Sequence, residues 1–205
     1  MKNKSLWLSF GLSQLLFVVL LPVWLRLLSY LHPVVLAIVW MCVNIFMFFV
    51  VYYVRKETIP ISKNMIKSVM SMYSLGLLVL LFFRPANQEY SQINIVPFKT
   101  IVDFLSGNGN FLIAFYNISA NILLFAPFGV VTFMLYKKPS RRQLLFIPSV
   151  VILLIESMQH LTKRGSMDID DFILNLLGVW IGYALYPVIQ KVVKVKGPNN
   201  KGGKV

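Results

Sequence analysis

The chain has one cysteine, Cys42, and only seven acidic residues among 205. A lone cysteine excludes a disulfide framework and a thiolate metal cluster, and its place within an apolar run marks it as a small lipid-buried hydrophobe. Charged residues are only 13% of the chain, against 58% hydrophobic. Phosphate-binding Gly-rich loops, a G-x-S-x-G elbow and EF-hand spacing are all missing, so the sequence carries no signal for nucleotide-driven, serine-nucleophile or EF-hand calcium chemistry. There is no convincing internal repeat, and no inverted pair of broken helices of the kind many transporters carry.

What is present is apolar sequence in long runs. The mean hydropathy of +0.73 lies outside the soluble range. Runs Leu6–Leu25, Val34–Val54, Ser68–Phe83, Ile118–Tyr136, Leu144–Leu161 and Phe172–Val188 each approach the length that crosses a hydrocarbon core. The expected fold class is an all-α integral membrane protein, a bundle of about six transmembrane helices. The third run is short, and Lys67 and Arg84 at its ends snorkel to complete it. The first follows "MKNKS" without a small-x-small cleavage pattern, and reads as a retained anchor. Pro127, Pro148 and Pro187 are kink positions inside later runs.

The net charge of +13 acquires a meaning once it is sorted by membrane side. With the N-terminus cytoplasmic, fifteen of the twenty Lys and Arg fall inside, opposed there by Glu57 alone. Outside, five basic residues meet six acids. Both termini are therefore expected to be cytoplasmic. The positive-inside rule accounts for the basicity without a nucleic-acid partner, and attraction to anionic headgroups adds membrane lipids as partners.

Connections between runs are short except Arg84–Asn117, which is long enough to need a job. Within it Phe98, Ile101, Val102 and Leu105 follow helical spacing, with Lys99 and Asp103 on the opposite face. This predicts an extracytoplasmic interfacial segment between spans three and four. "FLIAFYN" after "SGNGN" is either a re-entrant turn or an early start of span four. The tail "KGPNNKGGKV" is basic, Gly-rich and unpatterned, and is expected to be disordered.

Intramembrane polar residues converge on one depth. Asn121 lies in the outer part of span four. Glu156, Gln159 and His160 share a face at the outer end of span five, and Asp170, Asp171 and Asn175 stand at the entrance of span six. Asp171, Asn175, Gly178 and Gly182 form one stripe, half polar and half tiny. The pair Gly178 and Gly182 implies close helix packing, which would press Asp171 and Asn175 against a neighbouring span, with Glu156 expected on its facing surface.

Simpler roles compete for several of these residues. One of Asp170 and Asp171 suffices to cap span six. Asn121 and Asn44 serve as helix-helix hydrogen bonds, and His160 as an interfacial residue. Glu156 is the exception, because an ionisable group inside a span is functional by default.

Several chemistries remain open for the cluster. Carboxylates Glu156, Asp168 and Asp171 are candidates for acid and base work, with Arg164 as an anion clamp. The acids suit a divalent cation only weakly, because Lys163 and Arg164 compete for them, and neither a metal site nor a cofactor is assigned. The ligand-binding set is Asn121, Glu156, Gln159, Arg164, Asp168, Asp170, Asp171 and Asn175. A binding protein, an integral-membrane hydrolase or transferase, and a small transporter or assembly partner each fit it.

"NIVPF" (Asn94–Phe98), "NILLFAPFG" (Asn121–Gly129), "ESMQ" (Glu156–Gln159) and "RGSMDIDDFILNLLGVWIGY" (Arg164–Tyr183), in this order and spacing, resemble the VanZ-like family. The likeness covers about residues 75–187. It implies the cytoplasmic membrane of a bacterium and a role at the cell envelope. A lipid-linked wall precursor or a glycopeptide such as teicoplanin are its implied partners. The organisation expected is a two-span extension (1–66), the VanZ-like domain (67–190) and a basic tail (191–205).

Overall fold

The structure, a computed structural model, describes residues 2–27, 34–82, 93–99, 101–102, 106, 111–136, 138–165 and 167–196. Arg84, Glu89, Asp103, Leu105 and the tail from 197 lie outside them. The chain divides into two compact units, Met1–Pro60 with Lys191–Lys194, and Ile61–Gln190 with the residues from Val195 onward.

The first unit contains α1 (Lys2–Val19), α2 (Leu21–Leu27) and α3 (Val34–Val54). Bonds from Leu20 N–H to Leu16 O and from Trp24 N–H to Leu20 O run through the α1–α2 junction. Pro22 supplies no donor there, which is why one expected run becomes two helices. Helix α1 meets α3 along Ser5, Ser9 and Ser13, spaced by four and fully buried. Asn44 Oδ1 accepts from Ser13 Oγ at 2.7 Å and Gln14 Nε2 at 3.0 Å, while Trp40 Nε1 donates to Gln14 Oε1 at 2.8 Å. Asn44 thus finds on α1 the companions its own helix lacks. Strand β1 (Ile59–Ile61) pairs with β4 (Val193–Val195), and Ile59 N–H donates to Val192 O at 2.7 Å.

The second unit contains α4 (Lys63–Phe82), β2 (Ile93–Asn94), α5 (Phe111–Leu135), a π-helical turn at Arg142–Phe146 that runs into α6 (Ile147–Leu161), β3 (Met167–Asp168) and α7 (Ile169–Ile189). Residues 111–117 are the opening turns of α5, so the early start is the observed alternative to a re-entrant turn.

Four helical stretches among the described residues are long and apolar enough to cross a membrane: Lys63–Phe82, Asn117–Leu135, Arg142–Leu161 and Ile169–Ile189. They make this an all-α membrane protein. Within α1 and α3, Lys4–Val19 and Val39–Val54 are shorter apolar helical stretches.

Two prolines shape the second unit. Pro148 lacks the N–H that would bond Leu144 O, and the turn before it is π-helical, with Ile147 N–H reaching back to Arg142 O. Tyr183 Oη donates to Leu144 O instead, at 2.9 Å. In the turn before Pro127, Tyr73 Oη donates to Leu124 O at 2.7 Å. Leu77, Leu81, Phe125, Ile152 and Val179 form the buried core between these helices.

Candidate functional site

Helices α5 and α7 approach backbone to backbone. A Cβ on Gly178 would strike Ile122 O, one on Gly182 would strike Ala126 O, and one on Gly129 would strike Val179 O. The packing expected of Gly178 and Gly182 is present, and Gly129, from the "NILLFAPFG" segment, is its counterpart on α5. The close partner is α5 rather than the helix bearing Glu156. Asp171, one end of the stripe, accepts from Asn121 Nδ2 at 2.6 Å across this contact.

Asn175 reaches the other neighbour. Its Nδ2 donates to Glu156 Oε1 on α6 at 3.0 Å, and both residues are buried, each 4% exposed. Against a carboxylate the amide must present nitrogen, which fixes its orientation. Its Oδ1 then points elsewhere, and it is buried with no donor in reach among the described residues. Buried polar atoms without a partner are rare and mark places where a ligand or solvent group belongs.

The N-terminus of α7 is tied down by the other two aspartates. Asp168 is its N-cap, accepting from Asp170 N–H at 2.9 Å and from Asn94 Nδ2 at 3.0 Å. Strands β2 and β3 pair in parallel at the same point, Asn94 opposite Asp168. Asp170 is wholly buried, and its two oxygens accept the Phe98 and Ile101 N–H groups. The sequence assigned the capping role to Asp170 or Asp171; Asp168 performs it. Asn94 was missed as a site residue, although "NIVPF" carried it.

Asp170 therefore anchors the loop that carries "NIVPF". Val96 to Lys99 form a type II turn with Pro97 leading, closed from Lys99 N–H to Val96 O. Phe98 occupies the position that favours glycine, at φ 66. A helical turn follows, with bonds from Val102 N–H to Phe98 O and Ser106 N–H to Val102 O. Ile95, Val96, Phe98 and Val102 are exposed.

The end of α6 holds the remaining candidates. Gln159 is buried and its Nε2 donates to Leu81 O on α4 at 3.4 Å. Lys163 N–H bonds His160 O and Arg164 N–H bonds Gln159 O, a Schellman closure with Lys163 left-handed at φ 55. His160 keeps a buried Nδ1 without a partner. The candidates thus fall into two joined layers, Asn121–Asp171 and Glu156–Asn175 between helices, and Asp168–Asp170 beneath the loop. Among the described residues no group of three His, Cys, Asp or Glu is placed to hold a metal.

No curated protein and no solved structure matches the chain. A family model described as VanZ/LLP1 matches residues 33–190, a span that takes in α3 as well as the whole of the four-helix arrangement bearing the site. With most of its length covered, the chain belongs to the VanZ/LLP1 family of membrane proteins.

Proposed function

We propose that this protein binds an envelope component at the Glu156–Asn175 pair between α6 and α7, and thereby lowers susceptibility to a glycopeptide such as teicoplanin. Asn175 carries the reading: its Oδ1 is a buried acceptor with no donor, beside the Glu156 carboxylate. A buried acceptor at this point selects a ligand that brings hydroxyl, amine or amide hydrogens, as sugar and peptide headgroups of wall precursors and glycopeptides do. Family membership supports an envelope setting. The charge distribution supports a bacterial cytoplasmic membrane with both termini inside, six crossings, and the Glu156 end of α6 facing out. The geometry favours binding over turnover, because Asp168 and Asp171 are committed to the loop and to Asn121.

The test is drug susceptibility in a bacterial host expressing the full chain. Glu156→Gln and Asn175→Leu are expected to abolish protection against teicoplanin while membrane levels stay constant. Full protection in both variants would refute the reading.

A further inference from the structure

The second unit also contains a cavity of about 630 Å³ that the polar site does not use. Its walls are α4, through Ser74 and Leu78, and α6, through Val151 and Ile155; Phe125 and Phe128 of α5 form part of its floor. It extends from Gln143 to Met158 along α6, roughly 22 Å at 1.5 Å per residue. One leaflet's share of a hydrocarbon core about 30 Å thick is shorter than that.

Three hydroxyls along the cavity are engaged by backbone carbonyls. Ser74 Oγ donates to Met70 O, Thr132 Oγ1 to Phe128 O and Tyr183 Oη to Leu144 O. An occupant therefore meets hydrocarbon for most of its length. At the Met158 end, the Gln159–Leu81 bond joins α6 to α4. The other end differs. There a second hollow, lined by Lys67 and Ser71, adjoins the cavity and shares Met70, Ser74, Leu78 and Leu135 with it. Lys63 lies one turn before Lys67, and Lys138, Arg141 and Arg142 follow α5, with no acid in either segment.

We propose that this cavity holds one acyl chain of an anionic phospholipid, with the headgroup at Lys67. The end that adjoins Lys67 offers a cation to a headgroup, so the chain enters there, where charge selects an anion. This site is separate from the Glu156–Asn175 pair and does not depend on its function.

The experiment is native mass spectrometry of the detergent-solubilised full chain, offered phosphatidylglycerol or phosphatidylcholine with identical palmitoyl and oleoyl chains. One phosphatidylglycerol is expected to be retained about fivefold better than phosphatidylcholine, the preference one surface lysine supplies. Leu78→Trp, which fills the cavity, is expected to lower retention of both lipids about tenfold. Ser74→Leu does the same and replaces it should the tryptophan variant lose its thermal unfolding transition. Lys67→Gln is expected to erase the headgroup preference while phosphatidylcholine still binds. Unchanged retention in the filled variants overturns the cavity assignment, and equal retention of the two lipids by the unaltered chain overturns the headgroup assignment. Complete displacement by palmitate would also overturn it, assigning the cavity to a single-chain amphiphile.

Discussion

The hydroxyl of Tyr183 sits 2.9 Å from the carbonyl oxygen of Leu144, the acceptor that Pro148 leaves without its helical donor. A proline within a membrane helix frees a carbonyl that lipid cannot satisfy, and a neighbouring helix must supply the missing hydrogen. Here the residue that breaks the pattern and the residue that repairs it are on different helices, α6 and α7. The bond therefore holds the helices together as well as satisfying the carbonyl.

This relationship predicts a coupling. Tyr183→Phe removes only the hydroxyl and is expected to cost about 1 kcal/mol of stability in detergent. In a Pro148→Ala background the restored N–H serves Leu144 O, and the same substitution should cost close to nothing. Thermal unfolding of the two single variants and the double variant measures the coupling. Additive effects would show that the hydroxyl acts elsewhere.

The glycines of α7 make a second prediction, with an internal control. A Cβ on Gly178 meets backbone, Ile122 O, which moves only if α5 moves; a Cβ on Gly76 of α4 meets nothing within 4 Å. Gly178→Ala is expected to destabilise by about 1–3 kcal/mol, as overpacking does. Gly76→Ala should stabilise by about 0.5–1 kcal/mol through its backbone alone. Unfolding midpoints of opposite shift would establish the close approach, and equal shifts would deny it.

The contrast between these glycines shows how far the sequence could be read. The G-x-x-x-G spacing of Gly178 and Gly182 is a local signal, and it announced a close contact correctly. Which helix makes that contact is a tertiary fact: Ile122, Ala126 and Gly129 are the answering surface, and only Gly129 is conspicuous in sequence. The lone Asn44 is a similar case, since its partners Ser13 and Gln14 lie thirty residues earlier on another helix. Asp168 was legible as an acid but not as the cap, because capping depends on where the backbone turns helical. The Glu156–Asn175 pair was expected as neighbours, and Asn175 was found beside Glu156 even though the rest of its stripe faces α5.

The loop makes a third prediction. Asp170 accepts two backbone N–H groups, from Phe98 and Ile101. Asp170→Ala strips both donors of their acceptor, and charge-assisted bonds of this kind are worth about 1.5–3 kcal/mol each. Amide hydrogen exchange over residues 93–102 is expected to accelerate at least as much as that loss dictates, with the helices α4 to α7 still protected. Phe98→Gly should recover part of the protection by about 1 kcal/mol, since glycine accepts a positive φ without strain. Unaltered exchange in Asp170→Ala would mean that the loop is held by other contacts.

Orientation in the membrane decides what the Glu156–Asn175 pair can meet, and the orientation proposed for it rests on fifteen basic residues assigned to one side. Thr162, beyond the end of α6, and Ser140, before its π-helical start, are both exposed and lie at opposite ends of that helix. With Cys42, itself exposed, first replaced by alanine, each position can be converted to cysteine singly. A membrane-impermeant maleimide applied to intact cells is expected to label Thr162→Cys, and to label Ser140→Cys only after permeabilisation. The reverse pattern would place the pair toward the cytoplasm, where a wall component or an antibiotic acting outside the cell could not reach it, whereas the lipid cavity between α4 and α6 would be unaffected in its chemistry and would exchange one leaflet for the other.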